Sequence, residues 1–194
     1  MRQSSQNGIL IGRVSSLEDP EDLGRVRVEY PYLDNQQSNW ARCVSFMAGK
    51  ERGARFLPEV GDEVLVAFEQ GEPRRPYVLG ALWSQADTPI PHDGNQTDNN
   101  WRYIRSRSGH VLRFDDTDGG EKIEIIDKDE KHKIIIDTSG DKLEIVCESG
   151  NISISAASGK LDVEASEITV KSSGAMTLEA SGDMTIKGST VNIN

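Results

Sequence analysis

The sequence predicts an all-β chain, a small N-terminal barrel followed by a repetitive β-solenoid. Three observations carry this. Residues 133–194 repeat a short unit, an apolar-x-apolar strand and then a small polar turn. The first 84 residues hold five short alternating segments broken by Gly and Pro clusters. No window of the repeat region shows the i, i+3, i+4 apolar pattern of an amphipathic helix.

The repeat is the strongest feature, and internal repeats decide a fold before anything else does. Its apolar pairs are Ile134/Ile136, Leu143/Ile145, Ile152/Ile154, Leu161/Val163, Ile168/Val170, Met176/Leu178, Met184/Ile186 and Val191/Ile193. From Leu143 to Val191 the first members step by 9, 9, 7, 8, 8 and 7 residues. Residues at i and i+2 of a strand share one face. Glu144, Ser153, Asp162, Thr169, Thr177, Thr185 and Asn192 fall between them and suit a wet opposite face. Ser-Gly at 139–140, 149–150, 158–159, 173–174 and 181–182 supplies the turns. A unit this small cannot bury its own apolar face, so stacking must do so.

In chain order, residues 1–8 read as a polar arm, and 9–84 as a barrel of the OB-fold kind. Gly8–Ser16, Gly24–Tyr30, Trp40–Phe46, Glu63–Phe68 and Arg75–Trp83 are its expected strands. Asp19-Pro20-Glu21-Asp22, Pro31–Asn39 and Gln70-Gly71-Glu72-Pro73 are connections, and Met47–Phe56 is a loop or one helical turn. Residues 85–105 are a linker or strap, anchored by Trp101-Arg102-Tyr103-Ile104. Residues 106–194 form the repetitive region, opening with less regular spacing over 106–127.

Composition narrows the function classes. Residues 1–84 hold 10 Lys/Arg against 12 Asp/Glu, net −2, and residues 85–194 hold 12 against 20, net −8. An acidic repeat argues against nucleic acid, whose affinity rests on cations meeting phosphate. Mean hydropathy is −0.53 and no run of about 18 apolar residues occurs. The opening residues are too polar for a signal peptide, and Cys43 and Cys147 read as two free thiols of a chain made in the cytosol.

No constellation carries catalysis or a cofactor. His92, His110 and His132 lack metal-ligand spacing. Asp115-Asp116-Thr117-Asp118 lacks the spacing of a calcium loop and reads as a polar turn. Ser108, His110 and Asp115 lack the strand-turn-helix context of a nucleophile. Cys147, two residues beyond Ile145, reads as an inward small side chain. Trp40, Trp83 and Trp101 read as core packing and strap docking rather than a base-stacking platform, and Arg25, Arg27, Arg74 and Arg75 as a modest patch for a protein partner. The same features also fit a nucleic-acid-binding OB protein with a solenoid tail, or a single-chain β-solenoid adhesin or carbohydrate-processing protein. Octad spacing alone does not separate a one-chain coil from a three-chain prism.

GRVRVEYPYL, WARC and MAGKERGARFLPEVGDEVLVAFEQGEPRRPYVLGALW together resemble the OB module of the VgrG and phage baseplate assembly protein V family. SRSGHVLRFDDTDGGEKIEIID resembles the segment that opens that family's triangular β-helix. The resemblance implies a non-enzymatic homotrimer with an OB collar and an intertwined trimeric β-helix needle. The sixteen residues of the eight apolar pairs would form the trimer core. It implies the central spike of a contractile injection machine, seated on a hub protein of the tail tube or baseplate and driven through a target membrane. Such a spike is made in the cytoplasm, assembled into a phage tail or tail-like particle, and delivered outside the cell on contraction. Two departures from the pattern shape the expectation. Few residues precede the OB segment, which implies a separate hub protein, and 84–101 leaves no room for an inserted lysozyme domain. The last residues, Thr190, Val191, Asn192, Ile193 and Asn194, lack a His-x-His iron site and stay in repeat register. That resembles ends capped by a PAAR-type tip protein.

Overall fold

In a computed structural model, residues 8–92 and 96–193 are described. The expected arm at 1–8, save Gly8, and Asn194 of the expected tip site lie outside the described residues. The chain divides into two units, residues 1–148 and 149–194.

The first unit opens with a barrel. Its strands are β1 (Ile9–Ser16), β2 (Arg27–Tyr30), β3 (Gln36–Gln37), β4 (Arg42–Cys43), β7 (Glu63–Phe68) and β8 (Pro76–Ala81). They form a six-stranded sheet in the order β3-β2-β1-β7-β8-β4. Neighbours are antiparallel except β4 and β8, which run parallel. An isolated antiparallel bridge, Val26 to Ala41, joins the β2 end to the β4 end, so the sheet closes on itself. Alternation sets the core. Val14, Val26, Val28, Tyr30, Ala41, Val64, Val66 and Val78 are buried, with Leu10, Leu17, Leu33, Cys43 and Phe68 packed against them. The core is built mainly of valine because β-branched side chains pack well on a tight pleated surface. Gly12 lets β1 and β2 approach: a Cβ there would stand 2.3 Å from Val28 Cγ1 and 3.0 Å from the Glu29 carbonyl oxygen.

Three sequence expectations for the barrel are corrected. Met47–Phe56 is neither loop nor helical turn but contains a hairpin of β5 (Ala48–Gly49) and β6 (Arg52–Gly53). The third strand is assigned over Arg42–Cys43 rather than Trp40–Phe46, with Ala41 bridging Val26 before it and the Val44 N–H still bonding the Val78 carbonyl at 2.9 Å after it. Trp83 is 69% exposed and is not core packing.

The same unit continues into a five-stranded antiparallel meander, ordered β13-β12-β11-β10-β9. Its strands are β9 (Trp101–Arg105), β10 (Val111–Asp115), β11 (Lys122–Ile126), β12 (His132–Asp137) and β13 (Lys142–Cys147). Trp101–Arg105, expected at the end of the strap, is therefore a sheet strand, paired with β10 from Arg105–Val111 to Trp101–Asp115. Gly109, at φ +105°, makes the β9–β10 turn, where its N–H bonds the Ser106 carbonyl.

In the second unit no strand is assigned over residues 149–193. The eight-residue repeat predicts one strand per octad, and within the single chain that expectation is not met. The pairs Ile152/Ile154, Leu161/Val163, Ile168/Val170, Met176/Leu178, Met184/Ile186 and Val191/Ile193, expected to be core, are all exposed there. The physical reason is the same for strand and core. A strand exists through hydrogen bonds to a neighbour, and an apolar side chain is buried only by a surface that covers it. The described part of this unit pairs with no neighbouring segment of its own chain, so neither is supplied.

Candidate functional site

The meander has two unlike faces, and register defines both. One cross-strand row runs Ile104, Leu112, Ile125, Ile134, Ile145. The parallel row two residues along runs Arg102, Phe114, Ile123, Ile136, Leu143. Nine of these ten side chains are large and apolar, and all nine are exposed, from 36% at Ile123 to 67% at Leu143. Arg102 at the edge is tied to the Asp116 carboxylate. A contiguous, flat apolar surface of this extent is uncommon on a lone soluble chain and marks a contact surface.

The opposite face carries Trp101, Tyr103, Val111, Arg113, Asp115, Glu124, Ile126, Lys133 and Ile135, each half-buried or buried. The Arg113 guanidinium lies 4.2 Å over the Trp101 ring and its Nε donates to Glu124 Oε2 at 2.6 Å. Asp115 Oδ1 accepts from the Thr117 backbone N–H at 3.1 Å and hydroxyl at 2.5 Å. So Arg113, Glu124 and Asp115 each answer to a neighbour on this side, while the other side is almost wholly hydrocarbon.

Of the sixteen expected core residues, the structure brings Ile134, Ile136, Leu143 and Ile145 together on the apolar face. The other twelve are not brought together. Ile152, Ile154, Leu161, Val163, Ile168 and Val170 are exposed in the second unit, and so are Met176, Leu178, Met184, Ile186, Val191 and Ile193. Their exposure runs from 49% at Met176 and Val191 to 87% at Ile193. Ile104, Leu112, Phe114, Ile123 and Ile125 extend the meander face and were missed by the repeat reading. The signal of Leu112, Phe114, Ile123 and Ile125 is present as alternation in VLRF and KIEII, but their turns are longer than those of the octads. Of the expected tip site, Thr190, Val191, Asn192 and Ile193 are exposed.

Two of the histidines, His110 and His132, serve turns. His110 Nδ1 accepts the Lys128 backbone N–H at 3.2 Å. His132 Nδ1 stands 2.8 Å from Asp127 Oδ2, and this bond first, with backbone N–H donors of His132 and Lys131, holds the Asp127 carboxyl down to about 2. Ser108 Oγ contacts Ser106 Oγ at 3.3 Å, and Asp115 is engaged by Thr117. Among the described residues, no group of three or more His, Cys, Asp and Glu side chains could hold a metal ion. Cys43 and Cys147 are unbridged, and burial pushes the Cys43 thiol up.

On the barrel, the expected basic patch is largely engaged. Arg25 is held by Asp19 at 2.6 Å, Arg27 lies 4.9 Å over Trp40, and Arg75 pairs with Glu69 at 3.2 Å. The exposed apolar side chains lie elsewhere. Leu23, Val44, Met47 and Phe56 line a groove of about 570 Å3 beside the β5–β6 hairpin, with Phe46, 86% exposed, next to them in the chain.

A closed barrel of short strands carrying a meander with one bare apolar face defines a β-structured assembly module, and comparison gives its kind. Residues 10–83 match the family described as the type VI secretion system/phage-baseplate injector OB domain. The chain is 33% identical to the type VI secretion system spike protein VgrG4b of Pseudomonas aeruginosa, over 61% of this chain and 16% of that protein. It is 28% identical to spike protein VgrG1a of the same organism, over 62% of this chain and 20% of that one. Spike protein VgrG3 of Vibrio cholerae is 29% identical over 53% of this chain and 11% of its own length. The OB segment, residues 10–83, is thus that of the type VI secretion and phage-baseplate injectors, and about three fifths of the chain is similar to VgrG spike proteins. The chain spans a fifth or less of the length of these curated relatives.

Proposed function

We propose that this chain is a non-enzymatic central spike protein of a contractile injection machine. It acts as a homotrimer whose needle is an intertwined triangular β-helix. The carrying observation is the nine-residue apolar face of the meander, exposed in the single chain. Three copies turning these faces inward enclose a dry axis. The apolar pairs of 149–193 continue the same demand, since each is exposed when the chain is alone. Burying a Leu or Ile side chain fully contributes about 1.5–3 kcal/mol, and these residues have roughly half of that left to gain. Closed strands without open lateral edges then make a rod that transmits force without unravelling.

Attachment to a hub protein is assigned to the barrel, supported by the exposed side chains of Val44, Phe46, Met47 and Phe56 around the β5–β6 hairpin. A PAAR-type tip protein would cover Val191 and Ile193, which stay exposed in register with the repeat. In this reading the spike is assembled in the cytoplasm and leaves the cell when the machine contracts, meeting the target membrane mechanically.

Solution mass tests the proposal. Light scattering at micromolar concentration should give three times 21.4 kDa. A monodisperse monomer removes both the needle and the piercing role.

A further inference from the structure

The polar face of the meander carries a second, different surface. A groove of about 350 Å3 lies there, walled on one side by Ile90 and Pro91. The strap is held in place by the Tyr103 hydroxyl, which donates to the Pro91 carbonyl. Behind this wall the Trp101, Arg113 and Glu124 group is closed. Arg113 covers the Trp101 ring and gives its Nε–H to Glu124, whose side chain is 7% exposed. These groups form a floor and a back wall with little left for a ligand.

The next cross-strand row differs. It runs Arg105, Val111, Ile126, Lys133 across four strands, and Val146 follows on the fifth. Val111 and Ile126 make an apolar middle, with a cation on each side. No hydrogen bond or ion pair engages the Arg105 guanidinium or the Lys133 ammonium among the described residues. The other charged groups lining the groove are Asp127, Lys128 and Glu130. Asp127 is taken by His132, and Lys128 stands 3.6 Å from Asp129, which leaves Glu130 as the anion to be avoided. Lys133 is half-buried, so its charge gains more from a partner than a fully solvated lysine does.

We infer that this groove binds an extended acidic segment of a partner protein, of the pattern acid-x-apolar-x-acid. The spacing selects it. Three inter-strand steps of about 4.8 Å set Arg105 and Lys133 roughly 14 Å apart. Side chains i and i+4 of an extended peptide stand about 13.5 Å apart on one face, with i+2 between them. The two acids meet the two cations while the central apolar side chain rests on Val111, Ile126 and Ile90. A sugar is the poorer match, because Arg113 already occupies the ring face on which it would stack. The groove lies on the face away from the nine-residue apolar surface, so the inference does not depend on the trimer.

The test uses the full chain and fluorescein-labelled peptides read by anisotropy at low salt. The probes are Glu-Ser-Leu-Ser-Glu, Gln-Ser-Leu-Ser-Gln and Glu-Ser-Ser-Ser-Glu, each with blocked ends. The first should bind best, and loss of either its acids or its leucine should weaken it. Arg105→Gln and Lys133→Gln should each weaken the first peptide by about threefold, and the pair by about tenfold, as two partly exposed ion pairs allow. Arg107→Gln, outside the groove, should change nothing, and circular dichroism of every variant should match the parent. Equal binding of the first two peptides, indifference to both substitutions, or no binding at millimolar peptide overturns the inference. So does competition by a hexauronate together with insensitivity to the leucine, which would make the site one for acidic glycans.

Discussion

Asp19 shows how one side chain fixes the entrance to the barrel. Its carboxylate accepts the backbone N–H groups of Glu21, Leu23 and Arg25 at 3.2, 3.0 and 3.1 Å, and the Arg25 guanidinium at 2.6 Å. The Arg25 bond leads in holding this carboxyl far below the ordinary carboxylate range. Asp127 does the same work in the β11–β12 turn at a milder shift, down to about 2. Both folded values lie below the unfolded one of about 3.9. Their contribution is therefore complete above about pH 4 and is lost as pH falls through the folded value. We expect melting temperature to drop between about pH 4 and 2, and Asp127→Asn to flatten that drop while lowering the plateau at pH 7. A variant whose melting curve keeps the parent slope on the acid side would show that Asp127 is not its source. Gly12 sets a separate limit. An alanine there meets the Glu29 carbonyl and Val28, and Gly12→Ala should cost about 1–3 kcal/mol through overpacking. A lowered urea midpoint with an unchanged slope is the expected reading.

At the scale of elements, the two faces of the meander make the strongest forecast. Ile125 is 53% exposed in the single chain, and Ile154 in the second unit is 72% exposed. Ile125→Asp and Ile154→Asp should therefore leave the barrel and meander of each chain folded yet abolish the proposed trimer, since like charges would crowd a dry axis. Ser153→Asp, on the alternate side of the strand register, should stay trimeric. Light scattering on the three variants decides it, and equal tolerance of all three would refute the inward register. These elements were unequally legible in the sequence. Glu63–Phe68 was readable to the residue, because Val64, Val66 and Phe68 alternate between two turn clusters. The apolar pairs at 134–145 were readable for the same reason. The pairs from Ile152 to Ile193 were readable as a period but not as a partner, because alternation marks a face without saying which chain covers it. The row through Ile104, Leu112 and Ile125 was readable only as alternation within single strands, since its members come together through strand register, and register is set by turns whose lengths follow no repeat. The β5–β6 hairpin, of two-residue strands around Lys50-Glu51, is too short to leave a period. The Arg105–Lys133 groove was invisible for a further reason: its ends lie 28 residues apart and meet across four strands.

For the molecule as a whole, the decisive quantity is how much of its stability is intermolecular. The barrel has its own buried valine core, and the meander has its own hydrogen bonds. Residues 149–193 have neither a buried side chain nor an assigned strand. A segment with no burial of its own offsets none of its ordering entropy, and in the proposed trimer association supplies what the single chain lacks. Association makes stability depend on concentration, because binding of the folded state by its own copies shifts unfolding by mass action. If the proposed trimer forms, the unfolding of residues 149–193 should move upward as protein concentration rises from about 1 to 100 µM, while the barrel transition stays fixed. Hydrogen exchange at both concentrations separates the two: amides of 149–193 should gain protection with concentration, and those of β1, β7 and β8 should not. Concentration-independent protection across 149–193 in a particle of monomer mass would place its stability within one chain, and the solenoid would then be a one-chain coil.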